Sequence, residues 1–239
     1  MKTARSPRVV YEDNHLLVVD KPAGMLCQGD DTGDRTLLDW GRRYVKHRYD
    51  KPGAVYLGLA HRLDRPTSGL VVLARTSKAL SRLQPMFAKR EVEKTYLAVV
   101  LGSVEERPRT LAHWLRHDPS VKRVRVHTSE RKAGDGAKRA ELDYRLLGRV
   151  SARSLLEVRP ATGRRHQIRA QLASVGYPIE GDLRYGARVP LDDRSIGLHA
   201  YRLRFAHPVG KAPLDVRAAP EPRGAFAHFA DLLGDVAAD

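Results

Sequence analysis

Residues 61–74 read HRLDRPTSGLVVLA and join a charged, irregular segment to a continuous apolar run. The apolar part, residues 70–74, predicts a strand buried on both faces, because a strand with one solvated face alternates apolar and polar residues. Pro66 and Gly69 break regular structure just before that strand. The stretch therefore predicts a fold built on a sheet, in which a loop beside a core strand carries Asp64.

A lone aspartate in such a loop is most often a turn or cap residue, here paired with Arg62 or Arg65. A second segment weakens that interpretation, because residues 93–100, EKTYLAVV, place Lys94 and Tyr96 at the start of a β-type run. Alternation puts both side chains on one face of the predicted strand. A tyrosine in a strand is usually a core residue, so this segment supports a site only in combination with others.

A third segment, residues 162–169, reads TGRRHQIR and is rich in cations and amides. It leads into a predicted helix in which Ile168, Leu172 and Val175 share a face, and Gly176 ends that helix. The ordinary interpretation is a solvated basic helix start. The positive end of the helix dipole disfavours cations there, however, so we expect the arginines to have an anionic partner.

These blocks resemble, in order, the motifs of the RluA-type family of RNA pseudouridine synthases. HRLDRPTSG (61–69) resembles the catalytic-aspartate motif, EKTYLAVVLG (93–102) the lysine-x-tyrosine motif, and TGRRHQIRAQLASVGYPIEGDLRYG (162–186) the third motif. The similarity extends over residues 9–218, although many relatives carry an acidic residue where Pro66 stands. It implies an α+β fold, with a central mixed, largely antiparallel sheet, flanking helices and one RNA-binding cleft.

The resemblance implies isomerisation of uridine to pseudouridine, in which the base is detached at N1, turned and rejoined to the sugar through C5. The atom balance is zero, so no cofactor is expected, and one carboxylate can stabilise or capture charge at the anomeric carbon. By resemblance Asp64 is that carboxylate, Tyr96 stacks on the base, and Arg169 forms a salt bridge with Asp64. Whether Asp64 attacks the sugar, adds to the ring or removes a sugar proton stays open.

A uridine in stacked RNA must be extruded before it can react. Ile168 and Leu198 would supply the apolar wall opposite the tyrosine, and Arg62 would occupy the vacated place in the RNA. Four residues of the motifs are expected to bind phosphates or shape the loops: His61, Lys94, Arg164 and Arg165. Three more are candidates for substrate binding: Thr67, His166 and Gln167.

The composition independently indicates a polyanion partner, of which nucleic acid is the default. The chain has 43 Lys and Arg against 28 Asp and Glu, a formal net charge of +15, which is typical of proteins that bind polyanions. The basic residues are spread over several segments, and a ribosomal or transfer RNA stem-loop is the expected substrate. Charge indicates binding and not turnover, so a non-catalytic RNA-binding or ribosome-assembly factor on the same fold stays an alternative.

Other classes of function are disfavoured. No apolar stretch approaches a transmembrane span and the N-terminus lacks the apolar centre of a signal peptide, so we expect a cytoplasmic monomer without a membrane partner. His113 and His117 have the spacing of a helical metal site, but their segment predicts a strand, and no metal is expected. Lys21 in DKPAG could suggest a nucleophile, but Pro-x-Gly after an apolar strand is first of all a turn.

The pattern predicts an N-terminal tail (1–8), a catalytic domain (9–218) and a C-terminal tail or appended helix (219–239). Eight residues ahead of the first predicted strand leave no room for the S4-type RNA-binding module that many relatives carry. The predicted elements are a hairpin at 9–19, helices at 36–47, from Ser77 and from Ile168, a long hairpin with a mobile tip at 109–147, and strands at 154–158 and 201–205.

Overall fold

The computed structural model describes residues 5–121 and 123–238. Within these residues the strands are β1 (Arg8–Glu12), β2 (Leu16–Lys21), β3 (Gly58–Leu59), β4 (Ser68–Ala74), β5 (Glu93–Leu101), β6 (Arg109–Asp118), β7 (Arg123–His127), β8 (Lys138–Val150), β9 (Arg153–Pro160), β10 (Leu198–Ala206) and β11 (Pro213–Arg217). The helices are α1 (Leu37–Arg48), α2 (Ser77–Ala88), α3 (Glu130–Ala133), α4 (Gln167–Ser174) and α5 (Ala230–Ala238), with 3₁₀ helices at Leu183–Tyr185 and Gly224–Phe229.

The chain forms two compact units. The first unit consists of Met1–Glu93 and Ala200–Ala218, and the second of Lys94–His199 and Ala219–Asp239. Residues of the predicted catalytic domain occur in both units, and the predicted C-terminal segment belongs to the second. The domain boundaries at 8 and 218 stay predictions of the functional division of the chain.

In the first unit, β2 lies between β1 and β4, and both pairings are antiparallel. β3 pairs with β4, β4 neighbours β10, and β11 pairs antiparallel with β10. The pairing of β1 with β2 confirms the predicted N-terminal hairpin. Lys21 at the end of β2 lies opposite Gly69 in β4, so the register brings Lys21 close to the segment that carries Asp64.

Helices cover both faces of β4, which explains why this strand is apolar at nearly every position. α2 packs Leu83 into a cluster with Leu70 and Val72. α1 covers the other face, where a methyl group on its Gly41 would lie only 3.3 Å from Cδ1 of Leu73.

Local signals define the start of α1. Thr36 accepts a hydrogen bond from the backbone N–H of Asp39, and the Asp39 side chain accepts one from the backbone N–H of Thr36. This reciprocal capping satisfies two N–H groups that a helix start otherwise leaves without partners. The predicted helix with Thr36 as its cap is thereby confirmed.

In the second unit the strand order is β5-β9-β8-β6-β7, and each of these pairings is antiparallel. The prediction of one long hairpin at 109–147 was wrong in detail, because that segment forms three strands, with α3 between β7 and β8. Charged and β-branched residues alternate in β7 (RVRVH), whereas α3 (ERKA) has only four residues and no helical period, so the pattern did not separate the short helix from the strands. Both units combine antiparallel strands with helices, which confirms the α+β prediction.

α4 packs on one face of this sheet, where Ile168 and Leu172 join a cluster that includes Leu156 and Val158. The C-terminal segment is also packed in the second unit. The 3₁₀ helix Gly224–Phe229 buries Phe226 and Phe229, and α5 buries Leu233. Among the described residues, none of the helices has both the length and the apolar composition needed to cross a bilayer.

Candidate active site

Asp64 lies in a turn that precedes β4. The backbone N–H of Thr67 donates to the Asp64 carbonyl at 3.0 Å and closes the turn. Arg62 is exposed, Leu63 is buried and Asp64 is half-buried, which is the alternation expected of an extended segment. The guanidinium of Arg65 donates to the Gly24 carbonyl at 3.0 Å and to the Asp34 carboxylate at 2.6 Å, so it braces a neighbouring loop.

A buried lysine lies beneath this turn. The Lys21 ammonium donates to the carbonyls of Pro22 at 3.0 Å, Met25 at 2.9 Å and Arg65 at 3.4 Å. Its side chain is fully buried, and burial lowers the pKa of Lys21 to about 8, while the negative charge of Asp64 favours the charged form. Lys21 therefore uses its three donors to join the loop that follows β2 to the turn that carries Asp64.

Two residues predicted to bind substrate, His61 and Thr67, lie in the first unit and are close to Asp64 in the sequence. The backbone N–H of Val72 donates to Nε2 of His61 at 3.0 Å, and the His61 ring stacks on Phe87 with centroids 4.3 Å apart. Because Nε2 is an acceptor, the neutral ring carries its proton on Nδ1. Thr67 is buried, and its hydroxyl has no hydrogen-bond partner among residues 5–121 and 123–238. The contacts of His61 favour its loop-shaping role, and the substrate contact of Thr67 stays a prediction.

The second unit brings together the three residues predicted to hold the base. Tyr96 is half-buried at the start of β5 and packs against the cluster that contains Ile168 and Leu198. The latter two side chains are 7% and 4% exposed, so they are set firmly in the core. Lys94, two residues before the tyrosine, lies near the third motif, since a methyl group on Gly163 would be 3.9 Å from the Lys94 ammonium nitrogen.

Gln167 organises the loop that precedes α4. Its side-chain oxygen accepts from the Thr162 hydroxyl at 2.6 Å and from the Arg164 N–H at 3.0 Å, and its amide nitrogen donates to the Glu141 carbonyl at 2.9 Å. The residue is buried. This network favours a structural role for Gln167 over the predicted contact with substrate, and it leaves Arg164 and Arg165 exposed on the loop.

Arg169 is a buried cation with a buried partner. Its Nε donates to Oδ2 of Asp182 at 2.7 Å and its Nη2 donates to Oδ1 at 2.9 Å, with side chains 6% and 1% exposed. A bidentate pair of this kind fixes the plane of the guanidinium. Asp182 is thus an anionic partner of the kind expected for the arginines, whereas the salt bridge of Arg169 with Asp64 stays a prediction.

His166 takes an unusual backbone conformation at the start of α4. Its φ is 51°, in the left-handed region that non-glycine residues seldom adopt, and its side chain makes no capping hydrogen bond to the helix. The ring is buried, and its Nδ1 lies 2.9 Å from the hydroxyl of Tyr185. The position of His166 is therefore stabilised by Tyr185, which lies in the 3₁₀ helix after α4.

The candidate metal pair does not share a site. His113 and His117 are both in β6, where four residues span about 13 Å, so one ion cannot bind both rings. His113 instead lies with its Nδ1 3.1 Å from the side-chain amide nitrogen of Gln171. Burial lowers the pKa of His113, which favours the neutral ring.

Sequence reasoning considered Lys21 only as a nucleophile and missed its support of the Asp64 turn, and it missed Asp182 altogether. A signal for Lys21 was available, because LLVVDK ends an otherwise apolar strand with a cation directly before a turn. Asp182 lies within the third motif, but nothing local indicates that it binds Arg169, 13 positions earlier.

The three predicted catalytic residues are divided between the two units. Asp64 belongs to the first unit, whereas Tyr96 and Arg169 belong to the second.

The chain is similar to known RNA-modifying proteins. Residues 15–174, more than half of the chain, match the family described as RNA pseudouridylate synthase. A tRNA pseudouridine synthase C from Vibrio cholerae is 34% identical over 229 residues, covering 88% of this chain and 89% of the relative. A ribosomal large subunit pseudouridine synthase D from Nitrosomonas europaea is 33% identical over 84% of this chain, and the chain spans 58% of that relative.

A solved human structure has a similar fold. The protein titled Human RNA Pseudouridylate Synthase Domain Containing 4 superposes with a TM-score of 0.74, covering 95% of this chain and 92% of the human one. The sequence identity is 22%, so this likeness shows the fold alone.

Proposed function

The chain belongs to the RNA pseudouridylate synthase family, and from that premise we propose that it converts a specific uridine of a structured ribosomal or transfer RNA to pseudouridine, with Asp64 as the catalytic group. The reaction breaks the bond between N1 and the sugar, turns the base and joins C5 to the sugar. No atom is gained or lost, so the proposal requires neither a cofactor nor a metal.

The observation that carries the role of Asp64 is the way its turn is held. Lys21 binds the Arg65 carbonyl from below, the Cys27 sulfur contacts both the N–H and the carbonyl of Leu63, and the Thr67 N–H closes the turn. A carboxylate on such a rigid segment can be placed against the anomeric carbon without losing further conformational entropy. As a nucleophile or as a base, it acts in the ionised form.

The base is proposed to lie against Tyr96. The tyrosine ring offers a stacking face, and the core that it packs on, with Ile168 and Leu198, supplies a rigid apolar wall. Arg169, oriented by Asp182, is proposed as the cation that pairs with Asp64. The exposed Arg62 is proposed to fill the place that the extruded uridine leaves in the RNA.

The RNA is proposed to bind through exposed cations. Arg164 and Arg165 are exposed on the loop before α4, and the whole chain carries a net charge of +15. Both features favour contacts with phosphates. Because ribosomal and transfer RNA are cytoplasmic, we place the protein in that compartment, and we propose that it acts as a monomer.

The decisive experiment maps pseudouridine in transfer and large-subunit ribosomal RNA from cells with and without the gene. One uridine should lose its modification in the deletion strain and regain it when the wild-type gene is restored. Restoring the Asp64→Asn variant should leave that uridine unmodified. If no pseudouridine disappears on deletion while the purified protein still binds the RNA tightly, the non-catalytic assembly factor is the better account.

A further inference from the structure

Tyr185 lies between the basic strand β7 and the Arg169–Asp182 pair. It ends the 3₁₀ helix Leu183–Tyr185, three residues after the carboxylate that binds Arg169. Its half-buried ring packs against a cluster that contains Leu115 and Val124. The chemistry proposed above gives Tyr185 no role of its own.

The Tyr185 hydroxyl connects two separate segments. The backbone N–H of Val124 in β7 donates to the phenolic oxygen at 2.9 Å, and Nδ1 of His166 lies 2.9 Å from the same atom. Burial raises the pKa of Tyr185, so the hydroxyl keeps its proton at neutral pH. The phenolic oxygen accepts from the Val124 amide, and the tautomer of His166 decides whether its Nδ1 donates to the hydroxyl or accepts from it.

The Tyr185 ring faces the Arg169 guanidinium. The central guanidinium carbon is 5.2 Å from the ring centroid, within the range of a cation–π contact. Asp182 fixes the guanidinium within its plane through two hydrogen bonds, and the ring restricts its rotation out of that plane. Together Asp182 and Tyr185 restrict rotation of the Arg169 guanidinium both within its plane and out of it.

His166 adds a constraint from the other side. It precedes Arg169 by three residues and has φ of 51°, a left-handed conformation that is strained for a residue with a side chain. The bond to Tyr185 helps to hold this conformation. His166 is the residue directly before α4. Its backbone conformation therefore sets the position at which the helix starts, and with it the position of Arg169 in the first turn.

We propose that Tyr185 is a positioning residue that couples β7 to the orientation of Arg169. β7 carries the exposed cation Arg123, which under the proposed function contacts an RNA phosphate, whereas the neighbouring Arg125 is paired with Asp118 at 2.7 Å. When RNA fixes β7, the Val124 amide fixes the Tyr185 hydroxyl, and the ring then holds the guanidinium. This inference rests on the proposed function, because it assigns Arg169 to the reaction.

The test compares Tyr185→Phe, which keeps the ring and removes both hydroxyl bonds, with Tyr185→Leu, which also removes the ring. Tyr44→Phe is the matched control, because it deletes a hydroxyl that donates to Glu12 at 3.0 Å in the first unit. Single-turnover rates at saturating RNA and RNA dissociation constants are measured for each. The RNA probes are transfer and ribosomal RNA from cells that lack the gene.

Tyr185→Phe should lower the saturated rate by roughly tenfold, the loss expected for one to two hydrogen bonds. RNA affinity should change by less than about twofold, because no exposed cation is removed. Tyr185→Leu should lose more, and Tyr44→Phe should match the wild type. A Tyr185→Phe rate equal to that of the control would overturn the proposal.

A double-mutant cycle separates positioning from a general loss of stability. In an Arg169→Lys background, Tyr185→Phe should cost less than about twofold in rate, because the group through which it acts has been replaced. Equal fold losses in both backgrounds would show that Tyr185 acts independently of Arg169 and would overturn the proposal.

Hydrogen exchange supplies a readout that does not depend on activity. The Val124 amide should exchange faster in Tyr185→Phe than in wild type or in Tyr44→Phe, and unchanged protection would overturn the proposed link to β7.

If the wild-type protein itself forms no pseudouridine in either RNA, the proposed function has failed, and the role of Tyr185 in it fails too. A wild-type enzyme that is active with Tyr185→Phe unimpaired is the distinct failure of this inference alone.

Discussion

The Asp64 turn and the start of α4 each contain a buried ionic group, but the two groups bind different parts of the chain. Lys21 donates to three backbone carbonyls and so determines the path of a loop. Asp182 accepts two hydrogen bonds from the side chain of Arg169 and so determines the direction of one guanidinium. In the Asp64 turn the buried group holds the backbone, whereas at the start of α4 it holds the side chain of Arg169.

This difference predicts which property of each region a substitution should change. Changing Lys21 should alter folding and the shape of the turn, with no cation left behind. Changing Asp182 leaves a buried arginine without that carboxylate, which is energetically worse than losing the pair as a whole. The following predictions test that contrast, from the largest expected effect to the smallest.

Asp64→Asn should abolish pseudouridine formation, lowering the single-turnover rate by more than about 10⁴-fold, as loss of a catalytic group does in other enzymes. The amide keeps the shape of the side chain, so RNA affinity should stay within a few-fold of wild type. Asp34→Asn, in the loop braced by Arg65, is the control and should remain active. A variant of Asp64 that still turns over at a comparable rate would remove the aspartate from the chemistry.

Asp182→Asn should lower the free energy of unfolding by about 3–5 kcal/mol, because it removes the buried carboxylate that binds Arg169 through two hydrogen bonds. Asp215→Asn, which removes a more exposed carboxylate shared by Arg202, Arg204 and Arg217, should cost less than Asp182→Asn. Urea unfolding measures both. The double variant Arg169→Met/Asp182→Leu should regain stability but not activity, and a double variant as unstable as Asp182→Asn would contradict the contrast.

Lys21→Met should change how stability depends on pH. The pKa of Lys21 falls from 10.5 to about 8 on burial, so between these values the unfolded chain binds more protons than the folded one. The unfolding free energy of the wild type should therefore rise with pH relative to Lys21→Met, by up to about 3 kcal/mol across that window. Unfolding is measured from pH 7 to 10.5, with Lys46→Met as a control for a lost exposed charge. Parallel curves for wild type and Lys21→Met would show that the folded-state pKa is not lowered.

Arg62→Ala should slow the reaction on a structured stem-loop more than on a short unstructured RNA with the same uridine, because Arg62 is proposed to replace the extruded base. The difference should reach roughly tenfold, a part of the unstacking cost of a few kcal/mol. Arg62→Lys should rescue only partly, since it restores charge without the planar group. Equal losses on the two RNAs would instead assign Arg62 to a phosphate.

Arg165→Ala should weaken RNA binding slightly and reduce the slope of log K against log salt by about 0.7–0.9, the value for one phosphate contact. The control is Arg145→Ala, whose guanidinium is engaged by Glu157 through two hydrogen bonds of 3.0 Å. Its salt slope should equal that of the wild type. A slope unchanged by Arg165→Ala would place the RNA elsewhere on the surface.

The amino-acid sequence by itself determined the local elements and the candidates for chemistry. The apolar run at 70–74 predicted β4, Thr36 predicted the start of α1, and three motifs, of which the first contains Asp64, together predicted the family. Each of these signals lies within a few neighbouring residues, where periodicity, capping and steric rules act directly. The error at 109–147 also has a local cause, since α3 has only four residues and no helical period of its own.

Only the tertiary structure decided which residues hold the site in place. Lys21 bonds to the Arg65 carbonyl 44 positions away, Arg169 to Asp182 across 13 positions, and Val124 to the Tyr185 hydroxyl across 61. These partners carry no periodic signal, because a buried charge requires a partner somewhere but does not specify its position in the chain. The fold specifies it, by bringing distant segments together so that one buried polar group satisfies another.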